Sequence, residues 1–136
     1  MKRIWIILAA LFLMMFGMTG CRPAEQNETG TGTAAEVITA EQAKEIMERN
    51  EDCVILDVRD QSEYEEGHIE GAILIPYTEI ENRADEVLKD KDQLILVYCR
   101  SGRRSAIAAK CLTDMCYTNV KDFGGMIDWP YEVVTE

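Results

Sequence analysis

Leu94-Ile95-Leu96-Val97-Tyr98, then Cys99-Arg100-Ser101-Gly102-Arg103-Arg104, then Ser105-Ala106-Ile107-Ala108-Ala109-Lys110-Cys111: three compositions follow one another along one short run of chain. The first is brief, apolar and rich in β-branched and aromatic residues, which reads as a buried strand. The last is alanine-rich and reads as a helix. A cysteine therefore stands where a strand hands over to a helix. The first N–H groups of a helix have no intrahelical acceptor and carry partial positive charge, so an anion at that turn is stabilised. A thiolate is such an anion, and the arginines at 100, 103 and 104 act in the same direction. The Cys99 thiol is expected to have a lowered pKa and to be partly ionised near neutral pH. Gly102 permits a positive φ, which lets successive N–H groups turn inward as a nest around whatever Cys99 carries. Such a loop can hold a nucleophilic sulfur and an anionic substrate together, and the reading fails if residue 99 is sealed inside with those amides aimed elsewhere.

The remaining sequence supplies a frame for the loop. Thr39-Ala40-Glu41-Gln42 is a capping-box arrangement and predicts a helix to about Asn50. Val54 to Asp57 reads as a short buried strand, and Asp60 to Gly67 as a helix of one or two turns ending at a glycine. Ala72 to Ile75 is the next strand, stopped by Pro76, and Thr78 to about Leu88 is helical with acidic residues in its first turn. Asp90-Lys91-Asp92 is a polar turn, and Thr118 to Phe123 is a weaker, edge-like strand. Strands alternating with helices predict an α/β fold: a single domain with a mostly parallel central sheet flanked by helices on both faces. Ligands in such sheets bind at the carboxyl ends of the strands, where Cys99 lies.

Four segments carry a resemblance. They are Ile55-Leu56-Asp57-Val58-Arg59, the run from Tyr64 through Gly67-His68-Ile69 to Pro76, the Cys99-x-x-Gly102-x-Arg104-Ser105 loop, and Gly124-Gly125-Met126-Ile127-Asp128-Trp129. In this order they resemble the motifs of rhodanese-like sulfurtransferase domains, over roughly residues 37 to 131. The resemblance implies that Cys99 takes a sulfane sulfur from a small anionic donor, thiosulfate or a persulfide, and passes it to a thiophilic acceptor. The loop residues Arg100, Ser101, Gly102, Arg103 and Arg104 would form the cradle for that sulfur, with Arg100 and Arg103 free to point outward and attract the donor. Arg104 and Ser105 would order the loop, Arg104 by pairing with a carboxylate. Asp57 and Arg59 would support the pocket as an ion pair that fixes the loops. His68 suits a turn or helix-end hydrogen bond better than a general base, and Trp129 and Tyr131 suit packing. No cofactor is implied.

The start of the chain carries a different signal. Met1-Lys2-Arg3 is basic, Ile4 to Phe16 is almost unbroken apolar sequence, and small residues follow to Gly20. That pattern reads as a signal peptide over residues 1–20, too short for the roughly 20 apolar residues of a spanning helix. An uncleaved membrane anchor is the alternative. Met18-Thr19-Gly20-Cys21 resembles the lipobox of bacterial lipoproteins, with Met where Leu is usual, and implies lipidation of Cys21 and an extracytoplasmic domain held at the membrane. Residues 21–36 hold Pro, Gly, Thr, Asn, Gln and Glu with little that is apolar, which predicts a flexible tether before a domain over 37–136.

The net charge is −11, and without Lys2 and Arg3 it is −13. Such a balance argues against nucleic acid or an anionic surface as partner, and makes the arginine cluster beside Cys99 a local positive site. Of the five cysteines, Cys53 is expected to pack as a small hydrophobe. Cys111 and Cys116 are left as either a disulfide or buried free thiols. One histidine and no Cys-x-x-Cys spacing give a zinc site no ligands.

Three rivals stand beside sulfur transfer. A phosphatase or arsenate reductase of this fold places its arginine six positions after the cysteine, where this chain has Ser105, and the tighter ring suits a sulfur atom better than phosphate. A non-catalytic module commonly lacks the cysteine. A thiol-disulfide or sulfur-relay partner needs a second thiol within reach of Cys99.

Overall fold

The computed structural model describes residues 34–50 and 52–135. The signal peptide, the Cys21 lipidation site and nearly all of the tether lie outside them. The first ordered pieces are β1 (Glu36–Val37) and α1 (Ala40–Arg49). The expected capping box at Thr39 is present. Its hydroxyl accepts from the Gln42 N–H at 3.2 Å, and the Gln42 side-chain oxygen accepts from the Thr39 N–H at 2.9 Å. After α1 come β2 (Val54–Asp57), α2 (Gln61–Glu66), β3 (Ile73–Leu74), a 3₁₀ turn at Tyr77–Glu79 and α3 (Ile80–Val87). Next are β4 (Ile95–Cys99), α4 (Arg103–Asp114), β5 (Val120–Gly125) and a second 3₁₀ turn at Met126–Asp128.

The sheet order is β1-β5-β4-β2-β3, with every pairing between these strands parallel. β4 lies in the middle and all five of its residues are buried. Because successive side chains of a strand point to opposite faces, β4 feeds two cores. Ile95, Val97 and Cys99 join Ile80 and Ala84 of α3 and Ala108, Ala109 and Leu112 of α4. Leu96 and Tyr98 join Ala40 and Ala43 of α1, with Phe123 and Trp129. A strand covered on both faces reads as continuous apolar sequence, which is why this one was visible.

Two sequence expectations need correction. β5 is not an edge strand, since it pairs with β4 on one side and β1 on the other. The edge is β1, which has only two residues and no apolar period to announce it, Val37 being 80% exposed. Glu36, assigned by composition to the tether, pairs in register with Lys121 and forms an ion pair with it. The cysteines differ as well. All four that are described are free thiols, but Cys116 is exposed, at a left-handed φ of +69° just past α4. There the Cys116 N–H reaches the Thr113 carbonyl and the Tyr117 N–H the Leu112 carbonyl, both at 3.0 Å, closing the helix with a Schellman-type pair.

The end of β5 is shaped to meet the cysteine loop. Val97 pairs with Asp122 but Cys99 with Gly125, so β5 carries one extra residue in a bulge, with Gly124 at φ +86°. Gly125 then lies directly against the next peptide of the loop. A Cβ at this position would stand 2.1 Å from the Arg100 carbonyl oxygen and 2.5 Å from the Ser101 nitrogen. Backbone cannot yield that distance without moving the loop. Gly125→Ala is therefore expected to lower the urea midpoint by an amount equivalent to about 1–3 kcal/mol, the usual range for overpacking. Ile107→Ala, at a position 46% exposed, should change stability by no more than about 0.5 kcal/mol.

Candidate active site

Cys99 is the last residue of β4, and α4 begins four residues later, at Arg103. Gly102 is the residue before that helix and has the positive φ, +94°, that its sequence position suggested. The turn brings the Gly102 N–H to 3.0 Å from Cys99 Sγ. The N–H groups of Ser105 and Ser101 and the Ser105 hydroxyl also act on the sulfur. Cys99 is fully buried, so half of the condition that would sink the loop reading is met. The other half is not, because the amides face the sulfur. Burial, the largest single influence, pushes the thiol pKa up, but the four donors together outweigh it and leave Cys99 below the ordinary thiol value.

Ser105 is itself fully buried, and its hydroxyl lies 3.0 Å from the Gly102 carbonyl oxygen and 3.2 Å from that of Gly124. One hydroxyl proton cannot serve these carbonyls and the sulfur at once. A charged sulfur is the stronger acceptor, so the carbonyls hold the proton while Cys99 is a neutral thiol. In the neutral-thiol state the hydroxyl ties the loop to the end of β5 through the Gly124 carbonyl.

The arginines divide into two groups. Arg104 is held by Glu63 of α2 in a bidentate pair, at 2.6 and 2.9 Å, with Asp60 at 3.6 Å. This is the carboxylate partner expected of it, and a guanidinium so engaged orders the loop before it can bind anything else. The Arg104 pair, helped by the Asp60 N–H, holds the Glu63 carboxyl at about 2 against an ordinary value of 4.5. Arg100 and Arg103 are exposed, and among the described residues neither is paired with a carboxylate. They remain available to an incoming anion, as does the exposed Ser101.

Asp57 and Arg59 form a buried pair, with Arg59 Nη2 2.6 Å from Asp57 Oδ2 and 2.7 Å from the Gly67 carbonyl oxygen. Tyr98 completes this cluster. Burial and the neighbouring Asp57 carboxylate push its phenol pKa up, and its oxygen accepts from the Ile69 N–H at 3.2 Å. The pair thus fixes the β2 end to the turn after α2, as expected. His68 is buried and stacked on Tyr64 at 3.7 Å, with Nδ1 2.9 Å from the Tyr64 carbonyl oxygen. Its backbone bridges to Val134, so both its ring and its main chain are engaged in contacts that hold this turn. Among the described residues no group of three histidine, cysteine or carboxylate side chains could hold a metal.

Sequence reasoning missed two contributors to the loop. Glu63 carried only a weak signal, three residues after the Asp60 cap; its carboxylate accepts from the Asp60 N–H at 3.2 Å as well as from Arg104. Asp122 gave none, yet its buried carboxylate accepts from the Gly124 N–H at 2.9 Å and holds the bulge beneath the loop.

The model of the rhodanese-like domain family matches residues 39–130 of the chain. Among similar proteins, thiosulfate sulfurtransferase PspE of Escherichia coli (strain K12) is 40% identical over 73 residues, covering 54% of this chain and 70% of that protein. Putative sulfur carrier protein YrkF of Bacillus subtilis (strain 168) is 35% identical over 109 residues, 79% of this chain but only 58% of the relative's length. A solved structure described as rhodanese with anions from E. coli matches with a TM-score of 0.58 and 36% identity, covering 62% of this chain and 99% of that one.

The Glu63–Arg104 pair makes the loop's support dependent on pH. Its carboxyl is depressed in the fold, so the stabilisation is complete above the unfolded value near 4.5 and is lost as pH falls toward about 2. Glu63→Gln is expected to cost about 2 kcal/mol at neutral pH, as for hydrogen bonds to charged groups. Urea titrations of both proteins at successive pH values should show that gap closing across the acid window and flat above it.

Proposed function

Since the chain belongs to the rhodanese-like domain family, as a sulfurtransferase of that kind, we propose that Cys99 carries the transferred sulfur as a persulfide. The observation that carries this reading is the Gly102 N–H held 3.0 Å from Cys99 Sγ, in a ring of donors that favours the anionic sulfur over the neutral thiol. The Cys99 thiolate attacks the outer sulfur of thiosulfate. A bond forms between Sγ and that sulfur, the donor S–S bond breaks, and its electron pair leaves with sulfite. The persulfide anion carries its charge on the outer sulfur, one bond beyond Sγ. Arg100 and Arg103 raise the local concentration of an anionic donor against the negative charge of the rest of the domain. A thiophilic acceptor then takes the outer sulfur and returns Cys99 to the thiolate.

Two features favour this reading over its rivals. The position a phosphatase of this fold gives to arginine holds Ser105, buried between two carbonyl oxygens. Disulfide exchange needs a resolving thiol, but Cys53 packs against the opposite core. Cys111 lies eight residues beyond the start of α4, about 12 Å of helix rise away. We also propose that residues 1–20 are a signal peptide and that Cys21 is lipidated, holding the domain on the outer side of a membrane. The basic start, the apolar run and the Met18-Thr19-Gly20-Cys21 sequence support this.

Incubating the protein with thiosulfate and removing the excess should add the mass of one sulfur atom, and Cys99→Ser should show no addition. Equal gain by both proteins, or gain by neither alongside hydrolysis of an aryl phosphate, would overturn the assignment. Expressed in a bacterium, the full chain should sediment with membranes after a high-salt wash, while Cys21→Ala should lose that association or accumulate at precursor mass. Identical fractionation and mass of the two would remove the anchor.

A further inference from the structure

A groove of about 320 Å³ opens beside Arg100. Four charged side chains line it, and two of them are committed: Arg59 to Asp57 and Glu63 to Arg104. The other two, Arg100 and Glu66, are exposed and unpaired among the described residues. The rest of the wall is largely apolar, with Ile127 66% and Val133 43% exposed beside Met126. The groove is tied to the reacting loop by backbone, because the Ile127 N–H donates to the Arg100 carbonyl at 3.1 Å and Gly125 packs against the same peptide.

A small dianion such as thiosulfate has no use for most of this equipment. It would pair with Arg100, be repelled by Glu66 and leave the apolar wall bare. Opposite unpaired charges facing one space are complementary to a zwitterion, and apolar surface between them suits a short hydrocarbon link. We propose that this groove receives an amino-acid-type thiol as the sulfur acceptor, its carboxylate toward Arg100, its ammonium toward Glu66 and its methylene carbons against Ile127 and Val133. The inference rests on the persulfide reading above. In the transfer step, the acceptor sulfur bonds to the outer sulfur of Cys99–S–S⁻ and the Sγ–S bond breaks with its electron pair left on Sγ. The acceptor's proton remains on the product, so R–SH and Cys99–S–S⁻ become R–S–SH and Cys99–S⁻.

The test separates the two charges of the acceptor. Protein loaded with thiosulfate and desalted is mixed with L-cysteine, with cysteamine, which keeps only the ammonium, or with 3-mercaptopropionate, which keeps only the carboxylate. Loss of the persulfide mass is followed in each case. Each thiol is compared between native protein and variant, so differences in intrinsic thiol reactivity cancel. Glu66→Gln should slow discharge by L-cysteine and by cysteamine about two- to fivefold, the worth of an exposed ion pair, and leave 3-mercaptopropionate unslowed. Glu66→Lys should enlarge the loss and accelerate 3-mercaptopropionate. An equal effect on all three thiols, or none on any, overturns the groove assignment. Loading by thiosulfate is scored first in every protein, so a failure to load counts against the persulfide reading instead.

Discussion

A sulfur anion with no exposure to water is tolerable only if other dipoles replace the solvent, and in this protein the replacement is three backbone amides and the Ser105 hydroxyl. The Gly102 amide reaches Cys99 Sγ because the chain turns through a left-handed residue immediately before α4. Those first-turn N–H groups have no partner within the helix, so pointing them at a sulfur breaks no other hydrogen bond. The same arrangement prefers a charged sulfur to a neutral one. Burial pushes against it, and the outcome depends on several donors acting together at fixed distances. Rigidity of the loop is therefore part of its chemistry, since a donor that drifts outward leaves the desolvation cost uncompensated.

The molecule secures that rigidity from three directions. Beneath the loop, β5 ends in a bulge and two glycines, and the Asp122 carboxylate holds the bulge by the Gly124 N–H. From the side, Glu63 of α2 grips Arg104 in a bidentate pair and holds the first turn of α4 to α2. From within, Ser105 ties the Gly102 and Gly124 carbonyls together. Each clamp uses a polar group that would be costly to bury alone and is satisfied by its neighbour. The Asp57–Arg59 pair applies the same device one strand over, where it positions the turn carrying Gly67.

Charge is divided between holding and binding. Arg104 and Arg59 are spent on structure, while Arg100 and Arg103 face solvent with no carboxylate of their own among the described residues. In a domain this acidic, two uncompensated cations beside one cysteine make a local attractor for anions without making the whole surface basic.

Much of this was readable from the chain alone, because the signals were local. A strand covered on both faces must be apolar throughout, so β4 and the cysteine at its end were legible. A capping box closes over four residues, so α1 was too, and a glycine before a helix start marked the inward turn. What escaped was decided by contacts distant in sequence. Strand order depends on which edge is covered by a two-residue β1, too short to have a pattern. The partner of Arg104 lies 41 residues away, and nothing near either residue names the other. The need for glycine at 125 appears only when the Arg100 peptide is brought against it. Sequence determined that a cysteine would sit at a strand-to-helix turn, because that follows from bonds between near neighbours. Tertiary packing decided how tightly the turn is held and which charges stay free to meet a substrate, because those depend on distances that only the folded chain sets.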